Sequence, residues 1–393
     1  MERFFIVKKA YKTELKPSSL QSVKIRRAIG ICRFVYNKYV QLNMECRAAA
    51  AEEKALDWFI SAAEFIDQQL PHLIDIHSFI AKCPAPFIEA VLSNAETAFQ
   101  RYFQGKAGLP RFKAKYTDSI TLLYPERMTA LWHIDSDAVT MPVLGSLKLK
   151  EHDYLPQHTP LIKGCVSCIA GRYFISATVQ EDAEPISRDE QNGSIGIYVD
   201  ADGIITLDDG TQVEDITKNR RVISLKKKIA REMRSLSRRS HEPDAANRRK
   251  EQEKLMKLRL RLEQIYGDYI NKAVSEIVQR KPVYIVLGDI AVRKEAESSE
   301  SARDKIKGRR LAELKSRLLT KCRQADIAVR VPVNLEAERS AAATCSRCDN
   351  KVIQSPPDGD EANTFSCPHC GLNINRSQNA AVNLKHLREY LTL

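Results

Sequence analysis

Two pairs of cysteines near the C-terminus, Cys345-Ser346-Arg347-Cys348 and Cys367-Pro368-His369-Cys370, stand 18 residues apart. Each Cys-x-x-Cys turn offers two sulfurs while its amides stabilise their charge, so four thiolates can close a tetrahedron on one Zn²⁺. With sulfur at every position no coordination site stays open for catalysis, and the expected zinc is structural, holding a small ribbon together. His369 then reads as an exposed bystander. A further pair, Cys165-Val166-Ser167-Cys168, lacks a mate and falls in a strand pattern, as small buried thiols would. Ten cysteines in 393 residues without dense disulfide spacing fit a reducing compartment.

Charge is the second chemical feature. The chain carries 62 Lys and Arg against 50 Asp and Glu, a net +12, and the segment 218–261 holds 17 against 5, the same +12. The rest is therefore balanced. Arg220-Arg221, Lys226-Lys227-Lys228, Arg238-Arg239 and Arg248-Arg249-Lys250 make the segment one-sided. Such a surface repels itself unless it meets phosphates, so nucleic acid is the expected partner. Apolar residues recur every three or four positions at Val222, Leu225, Ile229, Met233 and Leu236, then Leu255, Leu258 and Leu262. This spacing predicts a basic helical pair over 218–263, broken by a turn at His241-Glu242-Pro243-Asp244.

The surrounding chain must position these groups. A weakly alternating strand, 1–18, precedes helical periodicity over 19–112, interrupted near Pro71 and Cys83-Pro84-Ala85-Pro86; 106–115 is a Gly, Pro and Lys-rich crossing. The region 113–182 alternates as strands, and 183–193 is an acidic linker. From 194 to 343 an α/β pattern follows, with a hairpin at Asp208-Asp209-Gly210, a buried strand at 283–287, a helix over 306–325 and a strand over 328–333. The polar stretch 294–305 reads as a loop, 344–374 as the zinc ribbon and 375–393 as a closing helix. At about 150 residues per domain the length suits two or three domains. No run of 18 apolar residues occurs, and the apolar start before Lys8-Lys9 is too short for a secretory signal. The reading is a cytoplasmic, nucleoid-associated protein without a membrane partner.

Several segments converge on one family. Ala10-Tyr11-Lys12 with Pro17, Arg33-Phe34-Val35-Tyr36-Asn37, Pro110-Arg111-Phe112-Lys113 and Met141-Pro142-Val143-Leu144-Gly145 resemble, in order and spacing, the N-terminal half of TnpB, the transposon-encoded RNA-guided nuclease. Ile195-Gly196-Ile197, the basic helices, Val286-Leu287, Gly308-Arg309-Arg310-Leu311, the cysteine pairs and Asn379-Ala380-Ala381-Val382-Asn383-Leu384 resemble its C-terminal half. The resemblance implies an α+β multidomain fold: a β-barrel wedge domain with a helical recognition insertion, a RuvC-like ribonuclease H domain and an inserted zinc ribbon. It also implies a guide RNA and target double-stranded DNA recognised beside a short target-adjacent motif; the sequence leaves the oligomeric state open, and a monomer on one guide RNA is the expectation. The nucleic-acid contacts expected are Arg33, Tyr36, Asn37, Arg111, Lys113, Arg220, Arg221, Lys226, Lys227, Lys228, Arg238 and Arg239, with Tyr36 and Phe112 equally readable as core. Glu89 falls where relatives often carry Gln, and an acid cannot repeat an amide's paired contact to adenine.

One part of the pattern breaks. A RuvC nuclease gathers carboxylates from three segments to hold two divalent metals about 3.5 to 4 Å apart. Where the resemblance implies Asp, Glu and Asp, this chain has Tyr198, Gly288 and Ser377. No catalytic Mg²⁺ is then expected, because none of the three supplies the negative charge a hard cation requires. Asp200, Asp202 and Asp289 lie near in sequence, but Asp200 is about 7 Å farther along an extended strand and Asp289 faces the opposite side. A productive site tolerates roughly 0.5 Å. The expectation is a nuclease-dead, TldR-like repressor, with a rewired RNA-guided endonuclease or a decayed transposon-derived nucleic-acid-binding protein as alternatives.

Overall fold

Alternation in the first residues becomes β1 (Phe5–Lys16), and Pro17 ends it before α1 (Ser19–Glu53). The computed structural model describes residues 5–53, 58–115, 121–157, 159–183, 193–200, 204–238, 245–288, 310–333, 335–352, 363–386 and 390–393. Most of the expected linker, the turn at 241–244, the loop at 294–305 and Gly308-Arg309 lie outside them. The described chain forms two units, one of Ile6–Asp182 with Glu232–Leu260, the other of Met1–Phe5, Ala183–Arg231 and Arg261–Leu393. Among the described residues no helix is long and apolar enough to cross a membrane.

In the first unit α1 starts on a reciprocal cap: Ser18 N donates to Gln21 Oε1 at 2.9 Å and Gln21 N to Ser18 Oγ at 3.3 Å. Its buried stripe, Ile25, Ile29, Cys32, Tyr36, Tyr39 and Asn43, has helical spacing. The helical run resumes at Ala62, passes through a π-turn at Phe65–Gln69 and continues as α2 (Leu70–Ile76). The break expected at Pro71 is therefore not there. Pro71 sits in the first turn of α2, directly after the wider π-turn, where its missing N–H costs little. The break at 83–86 is present, and α3 (Ala85–Phe103) follows it.

The strand-like region yields β2 (Thr121–Tyr124), a short α4 (Glu126–Thr129), β3 (His133–Ile134), β4 (Ala138–Met141), β5 (Gly145–Leu149), β6 (Leu161–Ile169) and β7 (Arg172–Ala183). With β1 they form one sheet in the order β2-β6-β7-β1-β5-β4-β3. Among the described residues β2 and β3 are its edges, so the ladder does not close as a hydrogen-bonded barrel. The two ends meet through side chains instead. Trp132, just before β3, lies over β6, where a Cβ on Gly164 would meet the indole at 2.3 Å.

Glu14 of β1 ties its strand to β7 and to Lys150, the residue after β5. Arg172 Nε donates to Glu14 Oε1 at 2.6 Å, Arg172 Nη2 donates to Oε2, and Lys150 Nζ donates to Oε2 at 2.8 Å. The Arg172 hydrogen bonds, reinforced by Lys150, hold the Glu14 carboxyl down to about 2 despite its burial. A depressed folded-state value makes this stabilisation complete above the ordinary carboxylate range and lost as pH falls toward 2. The melting difference between the parent and Glu14→Gln should be largest near neutrality and vanish on acidification through that window; a pH-independent difference would refute the linkage.

The second unit is built on a five-stranded sheet, order β14-β11-β10-β8-β9, from β8 (Ile195–Val199), β9 (Ile205–Leu207), β10 (Tyr284–Leu287), β11 (Ala328–Pro332) and β14 (Tyr390–Thr392). β8, β10 and β11 are parallel; β9 and β14 are antiparallel edges. Between them run α5 (Arg220–Arg238), of which 220–231 belong to this unit, α6 (Ala245–Gln279), of which 261–279 do, α7 (Leu311–Gln324), α8 (Leu335–Ala343) and α9 (Arg376–Lys385). Every residue of β8 is buried, as expected of a strand covered on both faces. Ile195, Ile197 and Val199 pack with Ile270, Val274 and Ile277 of α6 and Leu314 and Leu318 of α7. Tyr198 and Val286 pack oppositely with Ala341 of α8 and Ala380, Ala381 and Leu384 of α9. Three features depart from the sequence reading. α6 continues to Gln279, α8 precedes the ribbon, and the last segment ends as strand β14 rather than as helix.

Candidate RuvC-like site, zinc ribbon and nucleic-acid surface

β8 and β10 pair with Ile285 opposite Ile195, Val286 opposite Gly196 and Leu287 opposite Ile197, and Gly288 N donates to Ile197 O at 2.8 Å. Gly288 and Tyr198 thus end adjacent strands. Ser377 lies in the first turn of α9, where Asn375 Oδ1 accepts from Ser377 N at 2.9 Å and Gln378 N at 3.1 Å, an N-cap. One turn later Ala380 and Ala381 enter the cluster that contains Tyr198. The helix sits so close to β8 that a Cβ on Gly196 would meet Ala381 O at 1.9 Å. Gly196 is what lets α9 reach the strand.

Nearby acids are engaged. Asp200 Oδ1 accepts from Ile204 N at 2.8 Å, closing the β8–β9 loop. Asp208 accepts from Gly196 N at 3.2 Å and pairs with Lys385 Nζ at 2.9 Å. Asp202 and Asp289 lie outside the described residues. Among the described residues, the group of three or more acids, histidines or cysteines whose ligand atoms lie within 4.8 Å of one another is the four-cysteine set. One acid missed in the sequence does reach this face: Glu338 of α8 is buried, and a Cβ on Gly288 would lie 2.8 Å from its Oε1.

The ribbon pairs β12 (Thr364–Ser366) with β13 (Asn373–Asn375). Its two knuckles repeat one geometry: Asp349 N donates to Cys345 O and Gly371 N to Cys367 O, both at 3.0 Å, with left-handed φ of 57° and 69° at Asp349 and Gly371. Sγ of Cys345 and Cys370 are 3.5 Å apart, and Sγ of Cys348 and Cys367 3.6 Å. The edge of a tetrahedron with Zn–S bonds of about 2.3 Å is about 3.8 Å, so the sulfurs fit zinc. Hydrogen bonds from the Asn350 backbone and side chain hold Cys348 down to about 6. Cys370, although the Leu372 backbone lowers it, is pushed up to about 12 by burial and by the neighbouring sulfurs. Four thiols cannot all ionise together without a cation. His369 is exposed, as expected. Cys165 and Cys168 are half-buried, three apart on β6, and so face opposite sides and do not chelate one ion.

α9 clasps this ribbon to the sheet. Asn379 Nδ2 donates to Thr344 O at 2.7 Å, Asn379 Oδ1 accepts from Ser346 N at 2.9 Å, and Asn383 Nδ2 reaches Ala341 O at 2.7 Å and Thr344 O at 2.6 Å. The asparagines of the Asn379-to-Leu384 motif are therefore positioning residues.

Of the expected nucleic-acid contacts, Arg111, Arg220, Arg221, Lys226, Lys227, Lys228 and Arg238 are exposed. Arg33 and Lys113 are half-buried, and Arg239 lies outside the described residues. Two expectations change. Tyr36 is buried in the core under Lys113 Nζ, 5.6 Å from its ring, because it lies on the inner stripe of α1. Asn37 spends its amide on the Lys113 backbone, donating to O at 3.1 Å and accepting from N at 2.7 Å, so it pins the crossing. Phe112, readable as core, is 52% exposed between two cations. Glu89 pairs with Arg127 Nη2 at 2.6 Å.

Both ends of the chain match known families, and most of its length matches known proteins. A family described as a helix-turn-helix domain, HTH_OrfB_IS605, matches residues 1–51, and the Cas12f1-like TNB domain family matches 312–384. A protein of Escherichia coli (strain K12), provisionally named RNA-guided DNA endonuclease InsQ, is 25% identical over 296 residues, covering 74% of this chain and 68% of its own. One from Streptomyces pristinaespiralis, provisionally named RNA-guided DNA endonuclease, is 24% identical over 317 residues, 80% of this chain and 75% of its own. The solved Cas12f1-sgRNA-target DNA complex aligns at a TM-score of 0.49 with 14% identity, over 94% of this chain and 83% of that one. Matched at both ends by these families and along most of its length by these relatives, the chain is similar to RNA-guided DNA endonucleases of the TnpB kind.

Proposed function

We propose that this protein is an RNA-guided, sequence-specific DNA-binding protein whose RuvC-like site does not cut, and that it represses transcription by occupying target DNA beside a target-adjacent motif. The observation that carries this is the trio Tyr198, Gly288 and Ser377 where metal carboxylates are required. A phenol, a hydrogen atom and a hydroxymethyl group do not fit a pair of Mg²⁺ ions. The engagement of Asp200 in its loop and of Asp208 with Lys385 supports the same reading. The names of the relatives support the guided binding. Zn²⁺ on the four cysteines is structural.

Occupancy needs no hydrolysis. Exchanging a DNA duplex for an RNA–DNA hybrid is nearly balanced in free energy, so backbone contacts tip the outcome. The exposed cations of α5 can supply them. Incubated with matched DNA and Mg²⁺ or Mn²⁺, the purified guide complex should shift the DNA without cutting it; guide-dependent cleavage would sink this reading. A promoter reporter carrying the target should fall in expression. The co-purifying RNA should be one discrete species, whereas heterogeneous cellular RNA would favour a decayed protein that binds by charge.

A further inference from the structure

Gly288 ends β10 facing a carboxylate from another element. A Cβ there would stand 2.8 Å from Glu338 Oε1, 3.3 Å from Ile197 O and 3.4 Å from Leu384 Cδ1, and real Cβ atoms essentially never approach within 3.0 Å. Glu338 is 4% exposed, and the face it enters is lined by Tyr198, Val286 and Leu384. Its backbone is not at liberty to withdraw, because Asn383 holds the C-terminal end of α8 through Ala341 O and Thr344 O.

We propose that Glu338 is a plug: its carboxylate occupies the space that a metal-binding side chain on β10 would need. The site is then closed at two levels, by lost ligands and by filled volume. A methyl group at 288 can be admitted by a small shift of the flexible carboxylate. A glutamate cannot, because two carboxylates in one closed space repel and lack a solvent to share. Restoring acids at 198, 288 and 377 therefore also requires removing Glu338. The assignment of 288 as a former metal position rests on the reading above, whereas the competition for space does not.

The test is a double-mutant cycle on the full chain with its co-purifying RNA, read by thermal unfolding. Gly288→Glu should lower the melting temperature by roughly 4 °C or more in the parent and by less than half as much in the Glu338→Ala background. Equal penalties in both backgrounds overturn the plug. If Gly288→Glu chains accumulate only with Glu338→Ala, the recovery supports it. If they accumulate in neither, Gly288→Val replaces Gly288→Glu, with unequal penalties supporting and equal penalties overturning. Cleavage by the parent protein would refute the functional reading and leave this cycle intact.

Discussion

Cys348→Ser is expected to empty the ribbon of zinc, from about one ion per chain to about none by metal analysis, and to loosen α9. Among the described residues the ribbon has little else to hold it. Its two strands are three residues long, and its core is Phe365 with Val352, Leu372 and Ile374 around the sulfurs. A hairpin of that size is at best marginally stable, whereas structural zinc supplies about 10–16 kcal/mol of apparent folding energy in small domains. The loss should travel, because Ser346 N and Thr344 O are the partners of Asn379 and Asn383. Hydrogen exchange should then rise at Ser346 and along α9, but not in the β1–β7 sheet. A chelator should reproduce the pattern, and acid should too, since protons compete with Zn²⁺ for thiolates. Zinc-free protein with undiminished protection in α9 would refute the clasp.

The parts of this arrangement that could be read from the sequence are those in which spacing fixes geometry. Cys-x-x-Cys dictates a knuckle, and three-to-four spacing of Val222, Leu225 and Ile229 dictates a helix with the cations outside. Asn379 and Asn383 could be seen as a motif, but not as a clasp, because their partners lie 33 to 42 residues away. Asn37 was opaque for the same reason, with a partner 76 residues distant at Lys113. Glu338 is the strongest case. A glutamate on a short helix is ordinarily solvated, and only the fold shows that the hydrogen at Gly288 leaves room for it. Gly288 alone marks a lost ligand and Glu338 alone marks nothing; only together do they show filled space. β14 was missed because Tyr390-Leu391-Thr392 is too short to alternate.

Lys226→Ala, Lys227→Ala and Lys228→Ala together should weaken nucleic-acid binding chiefly by flattening its salt dependence. Each phosphate contact adds about 0.7 to 0.9 to the slope of log affinity against log salt, so three contacts remove about 2 to 3. Raising salt from about 50 to 200 mM should then cost the variant about 20- to 40-fold less affinity than the parent. Folding should hardly change. α5 docks through Val222 and Leu225, which are buried, and alanine is the strongest helix former. Among the described residues the packing lost is Lys226 Nζ over the Tyr266 ring at 5.8 Å, worth about 0.5 to 1 kcal/mol at an exposed site. Phosphate contacts carry no sequence information, so the weakening should be uniform across matched and mismatched targets. An unchanged slope would mean that these lysines are merely a solvated face. A changed slope with preserved target preference would show that the basic helix holds the nucleic acid while base pairing to the guide chooses it, and that division is what a protein acting by occupancy requires.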